Sequence, residues 1–342
     1  MTPRGQDPSR AAELAEELRH LDEHGFVVLR RVLIPEKVKA LKDRFEELYR
    51  LEGPRAGEFG FGLIRERYLR TSPVRLWLLD TAYRALERVL LTLFRLAPMT
   101  SGPFRRFRSA PFDYAKTTPW RRELRQMIVC IVEKLDEPSD LRLCDLVNKG
   151  EVFDDIYTHP RLLPLVEHLL GPDYKLSSLN VRSPKKGGPM QGLHVDFPFA
   201  IQPGRCYACN ALFALDDMGP ANGGTRVLPG THLTGGRPED AMPDTRQPHP
   251  DQQIVEARAG DVLFVNSQVW HGGTVNTSGA SRTLMQCYFT HSAHAPQQYQ
   301  ELQLRDEVRA RVSDEALRLL NVDPATRRAT GPDLAPGPSR DQ

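Results

Sequence analysis

Cysteine is scarce in this chain of 342 residues: five in all, at irregular spacing. That excludes a disulfide framework and suits a reducing compartment. Long hydrophobic runs are missing too. The most apolar stretch, Leu76 to Pro98, is interrupted by Asp80, Arg84, Glu87, Arg88 and Arg95, so it reads as an amphipathic helix and not a membrane span. The opening MTPRGQDPSRAAELAEEL lacks the apolar core of a signal peptide. Nor does one sign of charge dominate: the formal net charge is +2, which gives no global drive toward nucleic acid or anionic lipid. These absences predict a cytoplasmic protein with no transmembrane segment and no nucleic-acid partner. Oligomeric state is not encoded in any pattern.

What is present is the balance of a globular protein, 40% hydrophobic and 26% charged. Between Arg55 and Arg125, 15 Lys+Arg stand against 6 Asp+Glu, leaving the rest of the chain net negative. Such a basic stretch either faces an acidic substrate or forms a solvated surface. Helical spacing covers 11–24 and 35–51, the second opening on Pro35 and repeating Val38, Leu41, Phe45 and Leu48. A β-branched and aromatic run at 25–31 reads as a strand between them. Residues 55–150 look mostly helical, and 160–170 form an amphipathic helix ended by Gly171-Pro172. From Tyr174 the character changes to short strand-like runs with turn punctuation, at 175–183, 190–196, 205–216, 225–229, 253–258, 261–266, 271–275 and 283–290. The pattern predicts a mainly β protein with flanking helices, a jelly roll of the cupin kind. The expected organisation is one catalytic domain over 1–323: a helical N-terminal region at 1–172, a jelly-roll core at 173–300 and a C-terminal helix at 301–323. A loose tail fills 324–342.

The chemistry concentrates in Gly192-Leu-His-Val-Asp-Phe197. On a strand, residues two apart share a face, so His194 and Asp196 project together. His271 follows the strand-like Asp261-Val-Leu-Phe-Val265 and lies in Trp270-His-Gly-Gly273. Two histidines and one carboxylate make the facial triad of non-haem iron(II) oxygenases, with coordination positions left open for a 2-oxo acid and dioxygen. Arg282, eleven residues after His271, carries the planar fork that pairs with a remote carboxylate. His20-Leu-Asp22 mimics the pair, but it falls on a helical pattern, where positions two apart diverge by about 200°.

With these residues in view, the sequence resembles the phytanoyl-CoA dioxygenase family. The resemblance rests on Leu179-Asn-Val-Arg-Ser-Pro184, Gly192-Leu-His-Val-Asp196, Asn222-Gly-Gly-Thr-Arg-Val-Leu-Pro-Gly-Thr-His232, Ala259-Gly-Asp-Val-Leu-Phe264, Trp270-His-Gly-Gly273, Asn276 and Arg282. Glu23-His-Gly-Phe-Val-Val-Leu29 with Leu33-Ile-Pro35 is also similar to the family's opening. The resemblance implies a double-stranded β-helix fold, iron(II) held by His194, Asp196 and His271, and 2-oxoglutarate held by Arg282. It also implies dioxygen as co-reactant, with ascorbate as a stimulating reductant. Asp196 argues against a halogenase, in which a small residue replaces the carboxylate. Family members often carry a serine two residues after the distal histidine. Here that position is Gly273, so Thr274 or a water takes over the carboxylate contact, or the contact is absent. The expected reaction is hydroxylation of an unactivated carbon of a small-molecule or acyl-thioester substrate. The rival readings are a cupin-like metal enzyme and a binding module, neither using 2-oxoglutarate.

Other residues invite a role. Asn180, Arg182, Gln191 and Asn210 lie on or beside inner strands and are candidate substrate contacts. His232, after a Pro-Gly turn, is expected to support the fold or the site without ligating. Cys206 and Cys209, three apart on a strand, point to opposite faces and read as buried small residues, and Cys287 as core packing. Arg105-Arg-Phe-Arg108, with Lys116, Arg121, Arg122 and Arg125, reads as a solvated face before it reads as a phosphate grip.

Overall fold

A computed structural model describes residues 8–52, 72–96, 140–184, 186–187, 190–197, 202–294 and 296–326. Nine strands in two antiparallel sheets form its centre. They are β1 (Phe26–Leu29), β2 (Asp140–Leu143), β3 (Tyr174–Pro184), β4 (Ala208–Ala214), β5 (Thr225–Leu228), β6 (Gln253–Ile254), β7 (Val262–Asn266), β8 (Trp270–Gly273) and β9 (Leu284–His291). The larger sheet runs β1-β7-β4-β9-β3-β2 and the smaller β6-β5-β8. This is the jelly-roll arrangement that the punctuated runs predict.

The side-chain period of two assigns each face of the large sheet a job. Leu179, Val181, Cys209, Ala211, Phe213, Val262, Phe264, Met285, Cys287 and Phe289 all belong to one apolar cluster. That cluster also takes Leu41 and Phe45 from helix α2 (Pro35–Glu52, which comes after α1 at Pro8–His24), Leu165 and Val166 from a short helix at Leu163–Leu170, and Leu317 from Asp314–Leu319. The opposite face sends Leu212, Ala214, Leu263, Val265 and Leu284 toward Val227 of the small sheet. By the cross-strand register, Asn180 pairs with Gln286, Arg182 with Leu284 and Asn210 with Tyr288, so these polar residues share the inner face. A bulge between Leu176 and Ser178 resets the alternation that puts them there.

Some expected elements differ. The 190–196 run is extended but makes a single bridge, His194 to His271, and is no continuous strand. The 253–258 run pairs only at Gln253–Ile254 and again at Ala257 with Met218. The 55–150 region, expected mostly helical, contains a helix at Pro73–Leu96 and also edge strand β2. The C-terminal helix expected at 301–323 is broken into Gln300–Gln303, Asp306–Arg311 and Asp314–Leu319. The basic residues Arg105, Arg106, Arg108, Lys116, Arg121, Arg122 and Arg125, and the tail from 327, lie outside the described residues.

Candidate metal centre

The short bridge that replaces the expected strand is what builds the site. The His194 N–H donates to His271 O at 3.0 Å, and the His271 N–H returns to His194 O at 3.1 Å. Directly opposed residues of an antiparallel pair share a face, so the two imidazoles meet, with ring centroids 4.5 Å apart. Asp196, two residues on, is anchored through its N–H to Ser267 O at 2.9 Å. Its Oδ1 lies 3.4 Å from His194 Nε2 and 3.5 Å from His271 Nε2. One donor atom from each of the three side chains falls within 4.8 Å of the others. The approach is close enough to demand glycine beneath it. A Cβ on Gly272 would lie 3.0 Å from both Gln191 O and Gly192 O, which accounts for the glycine that comes after the distal histidine.

The donor set is fixed before any ion arrives. His194 Nδ1 sits 2.9 Å from Gly192 O, and His271 Nδ1 sits 2.9 Å from Val269 O. A carbonyl only accepts, so each Nδ1 carries the hydrogen and each Nε2 turns a lone pair to the centre. Burial pushes the Asp196 carboxyl up, but the imidazoles, His271 foremost, outweigh it and hold the group well below the usual carboxylate range. Burial lowers His271 in turn, and the Asp196 charge more than reverses this, leaving it raised. Two neutral nitrogens and one carboxylate oxygen fit a borderline divalent ion such as iron(II).

Arg282 is 4% exposed. Its Nη2 lies 3.1 Å from where a Gly273 Cβ would stand, and Gln191 Oε1 lies 3.5 Å from the same point. Gly273 shares a strand face with His271, so the guanidinium and the Gln191 carboxamide reach the side of β8 that carries the metal ligands. They lie one side-chain repeat, about 7 Å, further along. Gln191 is pinned there by accepting from the Gly273 N–H at 3.0 Å. Thr274 is elsewhere: its hydroxyl donates to Gly224 O at 2.8 Å, which leaves it no hydrogen for a carboxylate.

The remaining candidates separate. Asn210 donates from Nδ2 to Asp196 Oδ2 at 3.1 Å, so it touches a candidate ligand and not a distant wall. Asn180 accepts from Gln298 Nε2 at 2.7 Å and joins a buried network with Asp145, Asn148 and Gln300. Arg182 is half-buried on the inner face, directly opposite Arg142 of β2. His232 is buried and donates from Nε2 to Asp22 O at 3.1 Å, tying the Pro-Gly turn to the first helix. That contact agrees with a supporting role. No disulfide joins the described cysteines, and burial pushes Cys206 up to about 12 and holds Cys209 well above the ordinary thiol range, so neither offers a thiolate. On the helix Pro8–His24, the His20 ring packs on Phe26 while Asp22 Oδ1 reaches His168. The mimic pair therefore diverges as helix geometry requires.

Three neighbours were not anticipated. Arg226 is fully buried and donates to Gln191 O, Thr245 O and Gln247 O, each at 2.8 Å, clamping the ligand-bearing segment. Its place in the Asn222–His232 segment was the available signal. Gln286 and Tyr288 come after Arg282 at steps of two along β9 and share the inner face; the Tyr288 hydroxyl donates to Asp196 O at 3.4 Å.

A jelly roll with two histidines and a carboxylate on one inner face, and a buried arginine beside them, defines the class. The chain belongs to the phytanoyl-CoA dioxygenase family, whose model matches residues 21–284. It is 31% identical over 180 residues to dioxygenase trt7 of Aspergillus terreus, covering 47% of this chain and 60% of that protein. It is 32% identical over 148 residues to the Fe(II)/2-oxoglutarate-dependent dioxygenase nvfF of Aspergillus novofumigatus, covering 41% of this chain and 47% of that protein. The chain thus spans about half of the length of the curated relatives it matches. The crystal structure of HygX from Streptomyces hygroscopicus with nickel and 2-oxoglutarate bound aligns over 82% of this chain and 88% of that one, at 16% identity and a TM-score of 0.48. Among the described residues no helix is long and apolar enough to cross a membrane.

Proposed function

We propose that the protein is an iron(II)- and 2-oxoglutarate-dependent dioxygenase that hydroxylates an unactivated C–H bond of a small organic or acyl-thioester substrate. The observation that carries this reading is one inner face holding three convergent metal donors with a buried guanidinium beside them. Relatives named as dioxygenases, one of them Fe(II)/2-oxoglutarate-dependent, support it.

In this reading His194 and His271 bind iron through Nε2, with both rings locked by their Nδ1 hydrogen bonds. Asp196 supplies the one negative charge among the ligands. When bound there, iron(II) and 2-oxoglutarate activate dioxygen for hydrogen removal from the substrate, with succinate and carbon dioxide released. Arg282 pairs with the remote carboxylate of the cosubstrate, and Gln191 stands beside it where the family's serine is replaced by Gly273. Arg182 and Gln286, on the inner face, contact the organic substrate. The free thiols among the described residues suit action in a reducing compartment such as the cytoplasm.

The test is succinate formation from 2-oxoglutarate in air with iron(II) and ascorbate. Asp196→Ala removes the turnover. Arg282→Ala loses a charge-assisted pair worth about 1.5–3 kcal/mol, so the apparent KM for 2-oxoglutarate rises at least about tenfold. Anaerobic addition of iron(II) and 2-oxoglutarate gives a visible charge-transfer band. Metal binding with neither band nor succinate would replace this reading by a cupin-like enzyme that does not use 2-oxoglutarate.

A further inference from the structure

Asn210 is 6% exposed and sits on the inner face of β4, opposite Tyr288. A carboxylate only accepts hydrogen bonds, so the Asn210 atom facing Asp196 Oδ2 is the amide nitrogen, at 3.1 Å. Asp196 Oδ1 is the oxygen turned to both imidazoles. The two oxygens therefore have different partners: one the metal donors, the other Asn210. The other end of the same amide differs again. Asn210 Oδ1 is fully buried and has no hydrogen-bond partner among the described residues. A buried acceptor left in that state is costly unless something brings it a donor.

We infer that Asn210 is a positioning residue for the metal centre. Its Nδ2, by engaging Oδ2, would leave Asp196 to ligate through Oδ1, and its Oδ1 would accept a hydrogen bond from a water admitted to the centre. The inference rests on the reading of His194, Asp196 and His271 as metal ligands. The chemistry narrows the missing partner. 2-Oxoglutarate as its dianion and dioxygen bring acceptors only, so neither satisfies Oδ1, whereas a water brings hydrogens. One-oxygen ligation also keeps room for the cosubstrate. A carboxylate free to swing would bind through both oxygens and take a coordination position that 2-oxoglutarate needs.

The probe is cobalt(II) in the full-length protein, read by its visible absorption and without turnover. Native protein, Asn210→Asp and Asn210→Leu are titrated with cobalt(II) alone and then with 2-oxoglutarate. Asn210→Asp keeps the shape but replaces the neutral amide donor by a carboxyl that competes with Asp196 for one proton. Asn210→Leu removes both polar ends. Both variants are expected to retain the native thermal midpoint within a few degrees, to change the intensity of the cobalt absorption before any cosubstrate is added, and to bind 2-oxoglutarate about 10- to 100-fold more weakly. A variant that fails to fold is read through the other. Native-like absorption and 2-oxoglutarate affinity in the folded variants overturn this inference and leave the metal-centre reading intact. Absence of cobalt binding in native protein overturns that reading and this inference with it.

Discussion

The smallest unit that carries chemistry here is a single nitrogen lone pair. Each imidazole points Nε2 at the centre because its Nδ1 hydrogen is spent on a backbone carbonyl two residues back. In the metal-free site the Asp196 charge makes His271 easier to protonate than an ordinary histidine, despite burial. A divalent ion must displace that proton, so binding and protonation compete. Affinity for cobalt(II) is therefore expected to fall as the pH is lowered from about 8 to about 6, with a proton released on binding. Calorimetric titration in two buffers of different ionisation enthalpy measures this; identical heats in both would rule it out. At this scale the triad was legible, because strand alternation puts His194 and Asp196 on one face. Asn210 was legible as lying on or beside an inner strand, but neither its face nor its contact with Asp196 was. That contact depends on how the 190–197 segment lies across β4, which no local pattern encodes.

At the scale of elements, the molecule depends on close approaches between segments far apart in the chain. Gly25 turns the chain from the first helix into β1 at φ +81°, and a Cβ there would stand 2.5 Å from His232 Nδ1. The ring has nowhere to go: it is buried, and its other nitrogen is held on Asp22 O. Gly25→Ala thus combines left-handed backbone cost with overpacking against a fixed ring, and should destabilise the protein by about 2–4 kcal/mol. A urea unfolding midpoint equal to native would show that the ring is free to move. Helix α2 was readable because Pro35 starts it and Val38, Leu41, Phe45 and Leu48 repeat on one face, all of them buried. Strand β2 was not: its four residues, Asp-Leu-Arg-Leu, form too short an alternation to stand out from a helical surrounding, and its identity comes from pairing with β3. The C-terminal helix breaks before Asp314 because Ser313 restarts it, accepting from the Ala316 N–H in an N-cap, a signal present in the sequence.

For the whole molecule, the two faces of the large sheet divide the work: one packs helices, the other holds polar groups, and titrating histidines are spread across the rest. The jelly roll was legible from regular short strands, since that pattern has few stable closures. The depth at which each histidine lies was not legible, and it sets the response to acid. Burial lowers His20, His159, His232 and His294 below the ordinary 6.5. For each of them the unfolded chain binds the proton more readily than the folded one. Their contribution is full above about pH 6.5 and is lost as the pH falls below it. His271, raised by Asp196, has the opposite sign: its contribution is present below the unfolded value and is lost as pH rises through the folded one. In metal-free protein His271→Asn should therefore remove the opposing slope, which lies above about pH 6.5, and the thermal midpoint should fall between about pH 6.5 and about pH 5. A midpoint that stays level or rises over that range would mean that the four shifted histidines are not set by burial. An unchanged slope in the variant would mean that His271 does not gain its proton from Asp196.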